Sequence, residues 1–554
     1  MSDVTESVSP SSPSSPSSTA STPSPSPSRQ RVVLAAAVAV LVGLVIFAVA
    51  LEGNAVAHAS DRLRRQWGQD DAVASDRVAA RQFYDNNENA DPLAARPKAA
   101  TSSDDGEQWM QRMNVPAAEL LHLSLLQAAC LDHKDSIIPW TYGRSGAYQE
   151  SPAHNAARLV NQDDPKLLEK LRLCPDVDIY LSGPLRSHGY CEDAIVYSKF
   201  LKSRLLPRWA IEAPIFDTAL GQNVTYADLC PHTPMLFFNH FWDGLHELPT
   251  WPKQKPIYLM PNIEMYELNE KHLWRADVVL CKTLVCMDRL TRWYKQEGNP
   301  RNTQVLYTRH TTSDVAHFAR HTLGAAAIKP KDFTKPKFIH TAGASAQKGT
   351  RQVVECWLSR PDFPPLDLVI KNDSYQWMFG PPHNLDARVR SATNIRLLNT
   401  QVKPIEFGRM IAEAAFFLCT SVMEGYGHYI NQARASGGVI VTTDAPPMNE
   451  LIASGDMGVF VDATLHKDGG QFLGGASTAP HALRNVSGMV GAITKEGVCS
   501  AVEQLVFHTK VWQREAMATR AREQYHVDTA FFAREMLRLC AFARRRRQEL
   551  EQQP

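Results

Sequence analysis

Residues Val32 to Leu51 form an unbroken apolar run, VVLAAAVAVLVGLVIFAVAL, without a charge or a proline. At about 1.5 Å per residue a helix of that length spans roughly 30 Å, the thickness of a bilayer core. Arg29 and Arg31 flank it on one side and Glu52 on the other. The positive-inside rule predicts the N-terminus in the cytoplasm and all that follows Glu52 across the membrane. Ala48-Val49-Ala50 has the look of a cleavage site, but a cleaved signal has a shorter apolar stretch and a short leader. The run at 32–51 is read as an uncleaved signal anchor.

On both sides of this run the apolar rhythm vanishes. Residues 1–31 are mostly Ser, Pro and Thr and cannot bury enough apolar surface to offset their chain entropy, which predicts a disordered cytosolic tail. Residues 52–106 are charged and Ala-rich, which predicts a stem. Between 107 and 173 a helical rhythm returns through Ala118, Leu120, Leu121, Leu123, Leu125 and Leu126, a helical lead-in.

From residue 174 short apolar runs alternate with amphipathic ones. Strands are expected at 178–181, 235–238, 256–260, 277–280 and 304–307, with helices at 192–205 and 284–294. The rhythm breaks at about 318–335, where Lys329, Pro330, Lys335 and Pro336 suggest a linker. It restarts with strands at 337–340, 366–370, 394–398, 415–418 and 438–443, and helices at 350–358 and 405–413. Such alternation predicts parallel sheets covered by helices. The expected fold class is α/β: two Rossmann-like domains facing a cleft, at 174–320 and 336–500, preceded by the anchor and stem and followed by helices at 501–554.

Composition adds few constraints. The 554 residues carry a net charge of +1, with 44% apolar and 21% charged residues, so no global field points to nucleic acid. Ten cysteines show no Cys-x-x-Cys pair, which argues against a zinc site. An oxidising compartment would permit disulfides, but Cys281, Cys356 and Cys419 sit in apolar runs or on expected helix faces and are read as buried free thiols. Asn223, Asn372 and Asn485 open glycan-acceptor triplets. Arg544 to Arg547 reads first as a solvated helix end, with an anion site as the alternative.

The strongest chemical signal is the segment Thr420 to Ala433, TSVMEGYGHYINQA. An apolar strand runs into a glycine turn, and a helix opens. Ligands bind outside the carboxyl ends of strands in open α/β sheets. Gly425 and Gly427 permit close backbone approach, the helix start favours phosphate, and Glu424 can accept sugar hydroxyls. The alternative is a tight turn with Glu424 as a helix-start carboxylate.

This segment resembles the donor-binding half of the GT-B glycosyltransferases of the E-x7-E type, over residues 336–460. Glu424-Gly425-Tyr426-Gly427 matches the first glutamate and its turn, Gly437 to Asp444 matches the closing strand, and Glu450 falls where the family often has a Glu. The resemblance implies that Glu424 contacts the donor sugar. The family's second glutamate, which holds the nucleotide ribose, is Gln432 here, which can still bond a ribose hydroxyl but brings no charge. Its diphosphate-binding Arg and Lys-Gly fall on Gly343 and on Lys348-Gly349, so Lys348, with Lys371 after the next strand, is expected to hold phosphate. Lys348 has an alternative reading as a surface lysine at a helix start. Gly425, Tyr426 and Gly427 complete the expected donor loop.

In the first half, Ser182 to Asp193 and Asn239 to Asp243 follow strands and are expected to face the cleft as an acceptor site. His188 or His240 could orient or deprotonate an acceptor hydroxyl, and a structural role is the alternative for each. Pro261 to Met265 and Thr308 to Thr311 are read as cleft lining. Asp176-Val177-Asp178 precedes its strand instead of following it, so it is not read as a metal motif, and no metal is expected.

The resulting expectation is a metal-independent, retaining glycosyltransferase with no permanently bound cofactor. It would use a nucleotide-sugar donor (UDP- or GDP-sugar) and a glycan, protein or lipid acceptor. It would be a single-pass type II protein of the Golgi or another secretory-pathway membrane, with its catalytic region lumenal. The alternative is a degenerate GT-B domain that binds glycans or scaffolds other enzymes.

Overall fold

The computed structural model describes residues 108–144 and 157–552. The expected tail, anchor and stem lie outside these residues. The chain divides into two units, residues 1–91 and 92–554, and every described residue belongs to the second. Among the described residues no helix is long and apolar enough to cross a membrane.

Two sheets organise the unit. The first has seven strands: β1 (Ile138–Pro139), β2 (Asp178–Tyr180), β3 (Arg204–Leu206), β6 (Met235–Phe238), β7 (Ile257–Met260), β8 (Val278–Cys281) and β9 (Gln304–Tyr307), with a separate hairpin of β4 (Ile215–Asp217) and β5 (Gln222–Val224). The strand order is β1-β3-β2-β6-β7-β8-β9, parallel throughout except for β1. The second sheet is wholly parallel: β10 (Phe338–Gly343), β11 (Leu366–Ile370), β12 (Ile395–Leu398), β13 (Phe416–Cys419), β14 (Val439–Thr443) and β15 (Gly458–Val461), in the order β12-β11-β10-β13-β14-β15. A small pair, β16 (Thr464–His466) and β17 (Val490–Ala492), lies beyond it. The central strands are buried on both faces, which is why they read as continuous apolar runs and not as alternating ones.

Six helices matter for the site: α1 (Ala117–Asp132), α2 (His188–Phe200), α3 (Leu284–Glu297), α4 (Thr350–Ser359), α5 (Asn372–Phe379) and α6 (His428–Ser436). A seventh, α7 (Lys495–Phe507), precedes the 41-residue α8 (Val511–Glu551). α8 packs Tyr525, Phe532, Met536 and Leu539 into the core of the first sheet.

Four local expectations are corrected. The helix expected at 192–205 ends at Phe200, and Arg204–Leu206 is a strand. Lys202 turns the chain at φ 52°, and the Arg204 guanidinium pairs with Asp178 at 2.8 Å. The lead-in is not purely helical, because Ile138–Pro139 forms the edge of the first sheet. A helix, Val315–Leu323, runs into the expected linker. Cys281 and Cys356 are not free thiols: disulfides join Cys281 to Cys286 and Cys356 to Cys499, beside Cys130–Cys191 and Cys174–Cys230. Apolar sequence context reports burial but not whether a second sulfur lies within reach. Cys419 is free and buried, as is Cys540.

The arginine run at the end of α8 is not simply solvated, since Arg544 and Arg547 pair with Asp176 at 2.6 and 3.5 Å. Asp178 is taken by Arg204 and accepts from the Tyr226 hydroxyl at 2.8 Å. Both carboxylates of the Asp-x-Asp triplet are thus engaged by side chains of this chain.

Candidate active site

Strand order places the candidate groups. In the second sheet the chain runs outward from β10 to β11 and β12, then returns to the other side of β10 as β13. Adjacent strands that depart in opposite directions leave a crevice at their carboxyl ends. The loops after β10 and β13 therefore meet. Val422 N–H donates to Gln347 O at 2.8 Å, and Thr420 Oγ1 donates to Lys348 O at 3.0 Å.

Lys348 and Glu424, 76 residues apart, form an ion pair in that crevice, with both side chains mostly buried. Lys348 Nζ also lies 3.8 Å from the centroid of the Tyr429 ring. Ser421 Oγ donates to Glu424 Oε1 at 2.5 Å and sits 2.6 Å from the Tyr429 hydroxyl. Glu424 is thus held by one cation and one hydroxyl chain. Charge-assisted contacts of this kind fix a carboxylate that would otherwise rotate.

The glycines have steric causes. Gly349 adopts φ 63°, and a Cβ there would strike Thr420 O. Gly427 adopts φ 102° immediately before α6. At Gly425 a Cβ would fall 2.5 Å from Asn262 Cγ and 2.6 Å from Glu264 Oε1. The backbone of the second sheet's loop therefore rides directly on the loop after β7.

Glu264 faces Glu424 across this contact. Burial, and then Glu424 and Asp193, push its carboxyl up, to about 7 against an opposing pull from its own backbone and Lys282. Its Oε2 is shut off from solvent with no hydrogen-bond partner among the described residues. Asn262 N–H donates to Asn239 Oδ1, and Asn239 Nδ2 donates to the Tyr190 hydroxyl at 2.7 Å. Loops after β6 and β7 are thereby fixed to α2.

Below the carboxylates a buried ionic cluster ties the two sheets. Asp193 lies 2.9 Å from Lys282 Nζ, 2.8 Å from His310 Nε2 and 3.1 Å from His428 Nε2. Burial raises Asp193, but Lys282, His428 and His310 together hold it well below the usual carboxylate range. Burial holds His310 down to about 3, so its imidazole is neutral. Asp193, His310 and His428 are spaced as metal ligands could be. The Lys282 ammonium already occupies both Asp193 oxygens, at 2.9 and 3.1 Å, and supplies the compensating cation.

Two further residues bridge the cleft. Gln432 Nε2 donates to Glu192 Oε1 at 3.1 Å. Glu450 accepts from Leu284 N–H at 2.6 Å and Val285 N–H at 2.9 Å, which caps α3 from the opposite sheet.

The sequence-derived candidates thus divide. Lys348, Gly349, Glu424, Gly425 and Gly427 converge on the crevice. Tyr426 packs away from it and donates to His310 O at 3.1 Å. Lys371 is exposed at the start of α5. His240 follows β6 and lies against Phe241 and 3.9 Å from Glu267, with burial lowering its pKa. His188 opens α2, but its side chain lies outside the described residues. Sequence reading passed over Ser421 and Tyr429, which flank Glu424 in the same segment, and treated Glu264 only as lining. The signal for Glu264 was its place just past the carboxyl end of an apolar strand.

No protein-family model and no curated protein matches the sequence significantly. Among solved structures, a glycosyltransferase of Rickettsia africae matches with 10% identity and a TM-score of 0.45, over 66% of this chain and 98% of its own. A sucrose-phosphate synthase of Thermosynechococcus elongatus matches with 10% identity and a TM-score of 0.44, over 66% and 98%. An α,α-trehalose 6-phosphate synthase of Burkholderia multivorans matches with 12% identity and a TM-score of 0.42, over 58% and 73%. At these values the likenesses decide nothing about chemistry.

Proposed function

We propose that the chain is a glycosyltransferase of the GT-B type that moves a sugar from a nucleotide-sugar donor to a hydroxyl acceptor, with retention of configuration. The observation that carries this reading is the Lys348–Glu424 pair at the strand-order crevice, opposed across the cleft by Glu264.

The chemistry divides as follows. The bond between the sugar's anomeric carbon and the phosphate oxygen breaks, and the nucleoside diphosphate leaves with the electron pair. An acceptor oxygen bonds to that carbon on the same face from which the phosphate departs, as retention requires, and gives up its proton. Charge grows on the departing phosphate and positive charge on the sugar ring. Lys348, freed from Glu424 by the incoming donor, meets the phosphate, while Glu424 accepts from the sugar's hydroxyls. A cation and fixed dipoles act most strongly where water is excluded. Glu264, with its carboxyl raised to about 7, is the group suited to take the acceptor's proton near neutral pH. No step draws on a metal.

A nucleotide titration tests this. Calorimetry with UDP, GDP and ADP should find one that binds, and Lys348→Met should weaken it about tenfold or more. Binding of none of them would remove the donor site. A second reading, a degenerate glycan-binding or scaffolding protein, is favoured by one observation: Gln432 is committed to Glu192 at the position where a ribose ligand is expected.

We also read the protein as a type II protein of the Golgi membrane. The supports are the apolar run at 32–51, four disulfides that suit an oxidising compartment, and glycan-acceptor residues Asn223, Asn372 and Asn485 that are all exposed. An endoglycosidase-induced mobility shift of the expressed full-length chain tests the lumenal placement, and its absence in all three single-acceptor variants would oppose it.

A further inference from the structure

The first sheet has its own strand-order crevice, between β2 and β6, and a cavity of about 610 Å³ opens there. We propose that this cavity is the acceptor subsite and that it selects an uncharged saccharide unit over a sugar phosphate. The assignment of an acceptor rests on the transferase reading, whereas the selectivity rests on the cavity itself.

The volume falls within the range of about 300–1,000 Å³ usual for small-molecule sites. Its walls combine two aromatic faces with polar groups. Trp209 is fixed by its indole N–H, which donates to Asp135 O at 2.6 Å. Phe241 stands edge-on to Tyr190, with ring centroids 5.3 Å apart. Aromatic faces held in this way suit the C–H faces of a sugar ring, and nearby carboxylates suit its hydroxyls.

The charges decide the class of sugar. Asp135, Glu212 and Asp243 line the cavity against a single guanidinium, Arg208, so the lining is net negative. Arg208 is already committed to Glu212 through two parallel contacts of 2.8 and 2.7 Å. Asp243 accepts from the Tyr180 hydroxyl, and the backbone at Asp243 and Gly244 turns through φ 49° and 71° to place it there. An incoming phosphate would meet three carboxylates, of which Glu212 is paired with Arg208, and no unengaged cation. An uncharged polyol would meet carboxylate acceptors and aromatic faces without that repulsion.

A chain of contacts links the cavity wall to the loop that carries Glu264. Phe241 touches Tyr190, whose hydroxyl is held by Asn239, and Asn239 accepts from Asn262 N–H on the loop that carries Glu264.

Saturation-transfer NMR on the full-length protein tests the proposal. The probes are methyl glycosides of glucose, galactose, mannose and N-acetylglucosamine, together with glucose 6-phosphate and mannose 6-phosphate. At least one uncharged glycoside should bind, and Trp209→Ala should weaken it about tenfold. The double variant Asp135→Asn with Asp243→Asn, which keeps every side-chain shape, should raise sugar-phosphate affinity about threefold or more by removing like-charge repulsion. Preference of the parent protein for a sugar phosphate, or indifference of binding to both variants, would overturn the proposal. If a glycoside binds and responds as stated while no nucleotide sugar is turned over, the cavity stands and the transferase reading falls. If turnover occurs but no uncharged glycoside binds, the cavity assignment falls alone.

Discussion

Glu264 Oε1 lies 2.6 Å from the point where a Cβ on Gly425 would stand, so the two halves of the cleft meet backbone against carboxylate. Gly425→Ala should force that contact apart. The expected cost is about 1–3 kcal/mol in unfolding free energy, with a larger loss of activity because Glu424 moves with its loop. Urea unfolding beside nucleotide-release assays checks both. A variant of parental stability and activity would show that the approach has no function.

Glu264 should also leave a signature in the pH dependence of stability. Its carboxyl rises from 4.5 to about 7 on folding. The native state therefore holds a proton that the unfolded chain releases, and stability falls as pH rises through that window. Glu450, also raised to about 7, adds to the same slope. Glu264→Gln should remove its own share, visible as the difference between parent and variant at the two ends of the window. An unchanged slope would mean that Glu264 is ordinarily ionised in the folded protein.

Asp193 anchors three partners at once. Asp193→Asn leaves the buried Lys282 ammonium without its counter-charge, for which a destabilisation of about 3–5 kcal/mol is expected. Because the folded pKa of Asp193 is depressed, its stabilisation is present above its ordinary value of 3.8 and lost as pH falls. Chemical denaturation of the variant measures the first effect, and acid unfolding of the parent includes the second.

Thiol labelling checks the cysteine pattern. The native protein should take up no alkylating reagent quickly, and the denatured, unreduced chain should label at only Cys419 and Cys540 of the ten cysteines. Labelling of Cys281 or Cys356 without reductant would contradict the disulfides.

Much of the fold was legible in the sequence, because buried parallel strands are contiguous apolar runs. Met235–Phe238 and Leu366–Ile370 have the bounds that their patterns predict. Arg204–Leu206 was lost because three residues after a helix carry no readable period, and its partner Asp178 lies 26 residues away. The turn from Glu424 to Gly427 was legible as one continuous segment. Its meeting with Lys348 depends on β13 lying beside β10, which is a matter of strand order and not of local pattern. Glu264, a single acid after a strand, gains its character only from Gly425 and Glu424 of the other sheet. The Cys356–Cys499 disulfide is equally non-local, spanning 143 residues, whereas Cys281 pairs only five residues on, where the strand Val278–Cys281 gives way to the helix that opens at Leu284, a spacing outside the Cys-x-x-Cys pattern.

The most direct measurement of the central claim is nucleotide release by the full-length protein from UDP-, GDP- and ADP-sugars, with Glu424→Gln in parallel. The parent should release nucleotide from one donor class, and the variant should fall by about a hundredfold or more. Release from none of the three classes, or activity that survives Glu424→Gln intact, would contradict the assignment of glycosyl transfer to the Lys348–Glu424 crevice.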